Sequence, residues 1–373
     1  MPEERKSINE HDLWTRQGPL ILYADEYIGL PNFYPVYRAG KAYSWSLLAL
    51  VRELSTVKLN PKAMGIVSNP AFGYLPPHIP PFLNIERIGG PLVMASPRIC
   101  SSRDFAEAIA KAMCDDIALV EEANPGFENV VLVGGRDSMN LLLAKWQSPI
   151  TVASSPPNSS LVREFIKRNG LDVKFIELDE FKDEALDDEI LINCFRMGLQ
   201  DARWGGQLRT IAKAMGEKVI FWKGQLADTF LTPYWQTYRS TIFERKIYRW
   251  ANLIHFKLLD RSHLYQQSLC FETHWNRGAM WQGVHTAIVR ELTDCLTLSG
   301  YHGREVISVL QHSDLAECVK EDLRPAIGRL LAGREVWYPS HNPGPAQWRW
   351  RAIANSIGSW VKAAEWEGIH CER

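Results

Sequence analysis

Val130-Val131-Leu132-Val133-Gly134-Gly135-Arg136-Asp137-Ser138 decides how this chain is read. Four apolar residues in a row, stopped by glycine, are expected of a strand covered on both faces of a parallel sheet. Two glycines open a turn, and the sequence beyond them predicts a helix over residues 139–146. Strand, glycine turn and helix together form an anion-binding arrangement. Glycine lets backbone N–H groups converge, and the helix N-terminus adds partial positive charge. Asp137 is at odds with a pure phosphate cradle, because a carboxylate repels phosphate; a divalent cation between the two removes the conflict. The same residues admit a plainer reading, a strand–helix turn in which Asp137 and Ser138 cap the helix.

Working outward, strands and helices alternate. Residues 151–154 read as a second strand, 160–169 as a helix closed by Gly170, and 173–178 as a third strand. Residues 207–215 read as a helix with Gly216 at its C-cap, leading into a strand over 219–222. Such alternation implies an α/β fold around a parallel sheet. Upstream, Ser101-Ser102-Arg103-Asp104 has the form of a capping box, and Phe105, Ile109, Ala112, Asp116 and Val120 follow at helical spacing. This places a domain boundary near residue 99, giving domains 1–98 and 99–373. Before it, residues 20–98 have strand-and-turn texture, as in 20–23 and 42–45, with little helix beyond 46–54. The stretch 236–373 is expected to be mainly helical, with Trp350, Ile353, Ile357, Trp360 and Ala364 on one stripe.

Composition narrows the function classes. Lys and Arg (42) nearly balance Asp and Glu (43), so no overall field favours nucleic acid or an anionic membrane. An apolar content of 46% with 23% charged residues fits a soluble globular protein, and no apolar run reaches membrane-spanning length. Seven singly scattered cysteines and the polar opening Met1-Pro2-Glu3-Glu4-Arg5-Lys6-Ser7 predict a cytoplasmic protein without disulfides. Ten dispersed histidines offer no zinc spacing. Trp348-Arg349-Trp350-Arg351 has the composition of a base-stacking segment, but a helix turning one tryptophan inward and its arginines outward accounts for the same residues.

The glycine turn resembles the S-G-G-x-D-S pyrophosphate loop of the asparagine synthetase family. Lys223-Gly224-Gln225-Leu226-Ala227-Asp228-Thr229-Phe230 is similar to that family's G-E-G-A-D-E-L-F segment. Further segments follow in family order. Residues 24–34 resemble A-R-D-x-x-G-x-x-P-L-Y-Y, while 59–61, 72–74 and 85–91 resemble L-D-P, F-G-Y and I-x-x-L-P-P-G. Asp201 occupies the place of the acid in D-x-P, and Lys320-Glu321-Asp322-Leu323-Arg324 looks like K-x-x-L-R. The resemblance implies an ATP-pyrophosphatase domain with a helical C-terminal half, preceded by a small β-rich remnant of an Ntn-type glutaminase domain. It implies ATP and Mg²⁺ as cofactors, with Asp137 and Asp228 as metal ligands. The implied nucleotide-binding set is Val133, Gly134, Gly135, Arg136, Asp137, Ser138, Ala153, Ser154 and Gly224. Lys320, Gln225 and Asp201 are the implied catalytic residues, the lysine stabilising charge on the acyl-adenylate.

The departures from the family carry information of their own. The first cysteine is Cys100, past the boundary, so glutamine hydrolysis is not carried over. Val133 replaces the first serine of the loop and removes one hydroxyl donor. Gln225 stands in place of a glutamate, and an amide cannot act as a base; Thr229 replaces the acid after Asp228. β-Lactam synthetases and lasso-peptide cyclases are family lineages with disabled glutaminase domains. The expectation is an amide-forming ligase or cyclase of specialised biosynthesis that joins a small-molecule or peptide carboxylate to an amine. Its protein partner, if it has one, is either a second copy or a different chain. Two rival readings are the same activation serving another nucleophile, and a catalytically silent nucleotide-binding subunit.

Overall fold

In the computed structural model, residues 21–23, 36–44, 47–54, 56–58, 60, 82–88, 94–178, 215–216, 218–232, 289, 295–340 and 370–372 are described. Asp201, residues 24–34, 72–74 and 348–364, and all of the helix predicted over 207–215 but its last residue lie outside them.

The N-terminal part carries β1 (Leu22–Tyr23), β2 (Val36–Ala39), β3 (Ala42–Ser44), helix α1 (Leu47–Arg52), β4 (Thr56–Lys58) and β5 (Glu86–Ile88). Strands β1, β3, β2 and β5 pair antiparallel in that spatial order, as the strand-and-turn texture predicts.

Helix α2 (Ser102–Ala123) starts where the capping box places it. Ser101 Oγ accepts the Asp104 N–H at 3.1 Å and donates to the Asp104 carboxylate at 2.7 Å, so the acid closes the box on the hydroxyl. Its buried face includes Phe105, Ile109, Met113, Ile117 and Val120. Asp116, the polar interruption in that stripe, is 1% exposed and binds the next layer. Its two oxygens accept the N–H groups of Glu305 (2.9 Å) and Val306 (3.0 Å), at the start of a later helix. Burial pushes its carboxyl up to about 7, against those two hydrogen bonds.

After α2 come β6 (Glu128–Leu132), a four-residue helix α3 (Arg136–Met139), β7 (Ile150–Ser154), α4 (Asn158–Arg168) and β8 (Lys174–Glu177). They are followed by β9 (Val219–Lys223), α5 (Ala227–Phe230) and β10 (Leu296–Ser299). The chain continues through α6 (Arg304–Gln311), α7 (Leu315–Cys318), α8 (Arg324–Ala332) and β11 (His370–Glu372). Five strands form one all-parallel sheet in the order β10-β9-β6-β7-β8. The protein is therefore α/β, as the alternation predicts. Every residue of β7, β9 and β10 is buried, and β9 in particular reads as a nearly unbroken apolar run.

The sheet packs on both faces. Val131, Val152, Ile220, Trp222 and Leu298 join α2, α4 and α6 in one cluster. Val130, Leu132, Ala153, Val219 and Phe221 join Val289 and Cys295 in the other. A buried polar chain crosses the first cluster: Trp222 Nε1 donates to Asn129 (2.8 Å), whose amide donates to Glu121 (2.9 Å). Glu121 also accepts the N–H groups of Gln147 and Ser148, so a buried acid is fully used.

One expectation needs correction. The helix expected over 139–146 starts earlier, at Arg136, and tightens into a 3-10 turn over Asn140–Leu143. Asn140 explains the change: its amide donates to the Arg324 carbonyl at 3.0 Å and its oxygen accepts from the Tyr338 hydroxyl, which fixes the turn from outside. In the stretch 236–373, expected to be mainly helical, the described residues carry α6, α7 and α8, together with β10 in the sheet and β11 in a parallel pair with β4.

Candidate functional site

The chain runs from β6 outward through β7 and β8, then returns to β9 on the other side of β6 and continues outward to β10. The order reverses between β6 and β9, and the carboxyl ends of strands at such a switch point are where open α/β sheets bind ligands. The loops leaving these two strands carry the two motifs singled out in the sequence, residues 133–138 and 224–228.

The first loop is shaped mainly by its own backbone. Val133 continues the pairing of β6, its N–H donating to the Ala153 carbonyl at 2.9 Å, and Ser154 Oγ donates to the Val133 carbonyl at 2.6 Å. Ala153 and Ser154 thus hold the base of the loop. The Val133 side chain is 3% exposed and packs in the apolar cluster, so the residue replacing the family's serine faces the core. Ser138 is buried: its Oγ accepts the Gly134 N–H at 3.3 Å and donates to the Gly135 carbonyl at 3.5 Å. Gly134 stands open, with no atom within 4 Å of where a Cβ would be.

The second loop is pressed against the first. A Cβ on Gly224 would lie 2.4 Å from Ser138 N and 2.6 Å from Asp137 C, both backbone atoms. Only glycine allows that approach. The next turn is held from β10, where Ser299 Oγ donates to the Gln225 carbonyl at 2.5 Å and Gly300 N–H donates to the Lys223 carbonyl at 3.2 Å. Leu226 has φ +79°, the one non-glycine residue with positive φ among the described residues. It stands where the family segment quoted above has its second glycine. The Gln225 side-chain oxygen accepts from Lys223 Nζ at 3.3 Å. Burial holds that lysine well below its ordinary value of 10.5.

The two loops bring the acids together. Burial raises the carboxyls of Asp137 and Asp228 above the ordinary range, and the charge of Asp228 adds to the rise at Asp137. Asp228 presents an exposed surface, yet protein packed around it desolvates the carboxyl. Arg324 opposes both shifts. Its Nη1 lies 2.6 Å from Asp137 Oδ1, while Nε and Nη2 grip both oxygens of Asp322 at 2.8 and 2.9 Å. Burial pushes Asp322 up, but Arg324 with Arg136 outweighs it and holds that carboxyl below its ordinary value. Arg136 Nη2 sits 3.2 Å from Asp322 Oδ2, and the Arg136 Nε is buried with no hydrogen-bond partner. From below, the Tyr301 hydroxyl donates to the Asp137 carbonyl at 3.0 Å.

Of the residues singled out in the sequence, the structure gathers Val133, Gly134, Gly135, Arg136, Asp137, Ser138, Ala153, Ser154, Gly224, Gln225 and Asp228 at one end of the sheet. Lys320 is placed differently: its side chain is 62% exposed, with Nζ on the Glu317 carboxylate at 2.7 Å. Asp201 lies outside the described residues. Arg324, Asp322 and Tyr301 are part of the cluster without having been assigned a role from sequence. The first two lie within the K-x-x-L-R segment, so its arginine and its aspartate were the available signal; nothing in the sequence points to Tyr301.

The residues present fit a magnesium–nucleotide pair. They offer a glycine cradle closed to any Cβ at 224, two carboxylates on adjoining loops and two guanidinium groups that could receive phosphate. Among the described residues no cluster of three or more His, Cys, Asp or Glu is placed to hold a metal ion, so a metal held by Asp137 and Asp228 would need further ligands from water or phosphate. No helix among them is long and apolar enough to cross a membrane. Fold and site together define an α/β protein with a polar, charge-coupled cluster at the switch point of its sheet. No protein-family model and no curated protein matches the sequence.

Proposed function

We propose that the chain is an ATP-dependent amide ligase or cyclase of the asparagine synthetase kind, activating a carboxylate as its acyl-adenylate. The observation that carries the reading is the packing of the loop after β9 on the loop after β6, with Gly224 directly on the Asp137–Ser138 backbone and the charge of Asp228 reaching the Asp137 carboxyl. The substrate carboxylate attacks the α-phosphorus of ATP and pyrophosphate leaves; an amine then displaces AMP and forms the amide. Magnesium, when bound, neutralises charge on the departing pyrophosphate. Asp137 and Asp228 would hold it, and the loop from Gly134 to Ser138 would cradle the phosphates.

The second half-reaction needs an amine that has lost its proton. Gln225 cannot take a proton, so its part in this scheme is to orient substrate by hydrogen bonds. Lys320 is exposed and paired with Glu317, so stabilising the acyl-adenylate requires its segment to turn toward the crevice. The same observation favours, as a second reading, a nucleotide-binding subunit without turnover.

ATP–pyrophosphate exchange across a panel of small-molecule and peptide acids separates the two. The ligase reading expects exchange that depends on one class of acid, with AMP as the nucleotide product. Nucleotide binding without exchange under any acid supports the silent subunit, and ADP as the product rejects both.

A further inference from the structure

Two carboxylates that converge on a crevice need a cation beside them, because each raises the energy of the other's charged form. In this structure the cation is Arg324. Its guanidinium is fixed at three nitrogens: Nε and Nη2 in the fork of Asp322, and Nη1 on Asp137. The side chain is 16% exposed, and its charge also reaches Asp228. The backbone is pinned as well, with the Arg324 carbonyl accepting from Asn140. Asp322 is shared with Arg136, so two guanidinium groups meet at one acid next to the phosphate cradle.

This arrangement bears on how a metal enters. Asp137 and Asp228 are too few to hold a divalent ion by themselves, and one oxygen of Asp137 is already taken. A metal ion arriving alone must displace a guanidinium and finds nothing to receive it. Phosphate changes this, because a guanidinium fork fits a phosphate oxygen as well as a carboxylate. With Nε and Nη2 kept on Asp322, only the Nη1 arm has to change partner.

We infer that Arg324 is the resting counter-ion of the crevice, and that it passes from Asp137 to a phosphate oxygen as nucleotide and metal enter together. The inference rests on the reading of the crevice as a magnesium–nucleotide site. It assigns Arg324 a positioning role with a thermodynamic signature: metal and nucleotide bind as a pair, and metal alone binds poorly. A charge-assisted hydrogen bond contributes about 1.5–3 kcal/mol, so its exchange is worth roughly tenfold or more in affinity.

The test uses Mn²⁺ as the probe, followed by electron paramagnetic resonance, and ATP binding in EDTA followed by calorimetry, on the full chain. The wild type should bind Mn²⁺ at least about tenfold more tightly with ATP present. Arg324→Gln should tighten Mn²⁺ alone by about tenfold and weaken metal-free ATP by a similar factor. Arg324→Lys keeps a charge beside Asp137 without the fork, so Mn²⁺ alone should stay weak while metal-free ATP weakens. Circular dichroism reports whether each variant is folded. If Arg324→Gln does not fold, Arg324→Lys decides, and metal-free ATP affinity equal to the wild type's overturns the proposal. Unchanged or weaker Mn²⁺ binding by folded Arg324→Gln also overturns it, with the nucleotide site left standing. A wild type that binds no ATP with or without metal removes the nucleotide reading itself, and this inference with it.

Discussion

The loop after β6 and the loop after β9 meet at one crevice but hold their shapes by opposite means. Residues 133–138 continue the sheet's hydrogen bonding and then close on themselves through Ser138, and the loop's first glycine faces open space. Residues 224–228 are shaped from outside. Gly224 is pressed on the other loop's backbone, β10 takes up the Gln225 carbonyl, and Leu226 is held at φ +79°. A non-glycine residue in that region costs about 1–3 kcal/mol and persists only where packing over-determines it. Leu226 is 2% exposed in the main core cluster, and burying a leucine is worth about 1.5–3 kcal/mol, enough to balance that strain. The first loop is thus shaped mainly by its own backbone, with Ser154 and Tyr301 holding its two ends, whereas the shape of the second depends on β10 and the core. Substitutions should be tolerated differently in each.

The largest difference is expected between the two loops' glycines. Gly224→Ala drives a methyl into Ser138 N and Asp137 C, and no flexible side chain can yield. It should destabilise the fold by about 1–3 kcal/mol or more and abolish nucleotide binding. Gly134→Ala meets nothing within 4 Å and should leave stability within about 0.5 kcal/mol, so any effect is on ligand alone. Urea denaturation of both variants makes the comparison, and equal losses would break the distinction between the loops.

The acids come next. Asp137→Asn and Asp228→Asn should each remove most turnover, since a neutral amide binds magnesium poorly. Stability should separate them. Asp137 is hydrogen-bonded to Arg324, so its substitution should cost about 1–2 kcal/mol more than that of the exposed Asp228. Equal stabilities, measured by denaturation without nucleotide, would show that the Arg324 contact contributes nothing to the resting fold.

Lys223 supplies a pH signature for the second loop. Burial lowers its folded pKa below the 10.5 of the free side chain, so the unfolded chain binds the extra proton between the two values. Stability should therefore rise with pH as it climbs toward 10.5. Lys223→Met should flatten that rise. A slope left unchanged in the variant would assign it to other groups.

The smallest effect is an inverted order at Leu226. In most core positions glycine is worse than alanine. Here alanine loses the buried side chain and keeps the strained backbone, whereas glycine loses the side chain and relieves the strain. Leu226→Gly should be about 1 kcal/mol more stable than Leu226→Ala. The ordinary ranking in thermal melts would mean the left-handed turn relaxes at no cost.

What the sequence made legible was local or doubly buried. The capping box at Ser101 needs only four residues, and β7 and β9 announce themselves because both faces are covered. The segments that carry Asp137 and Asp228 likewise stood out in the sequence, and the structure packs one on the other. Four-residue β10 was hidden, since a short buried run cannot be told from a helix fragment by its pattern. The 3-10 turn over Asn140–Leu143 was hidden for a different reason: Tyr338 and Arg324 set it from far along the chain. Tyr301, 164 residues from Asp137, was out of reach in the same way, whereas Arg324, 187 residues away, lay within the K-x-x-L-R segment but carried no sign of its partner. Partners fixed by packing leave no local pattern to read.

The central claim, a magnesium–nucleotide site between β6 and β9, is tested most directly by calorimetric binding of α,β-methylene-ATP with Mg²⁺. The comparison is between the wild type and the Asp137→Asn/Asp228→Asn double variant, each checked for folding by circular dichroism. The account predicts one nucleotide per chain in the wild type and loss of magnesium-dependent binding in the folded double variant. Undiminished binding by that variant would place the nucleotide elsewhere, and no binding by the wild type would contradict the claim outright.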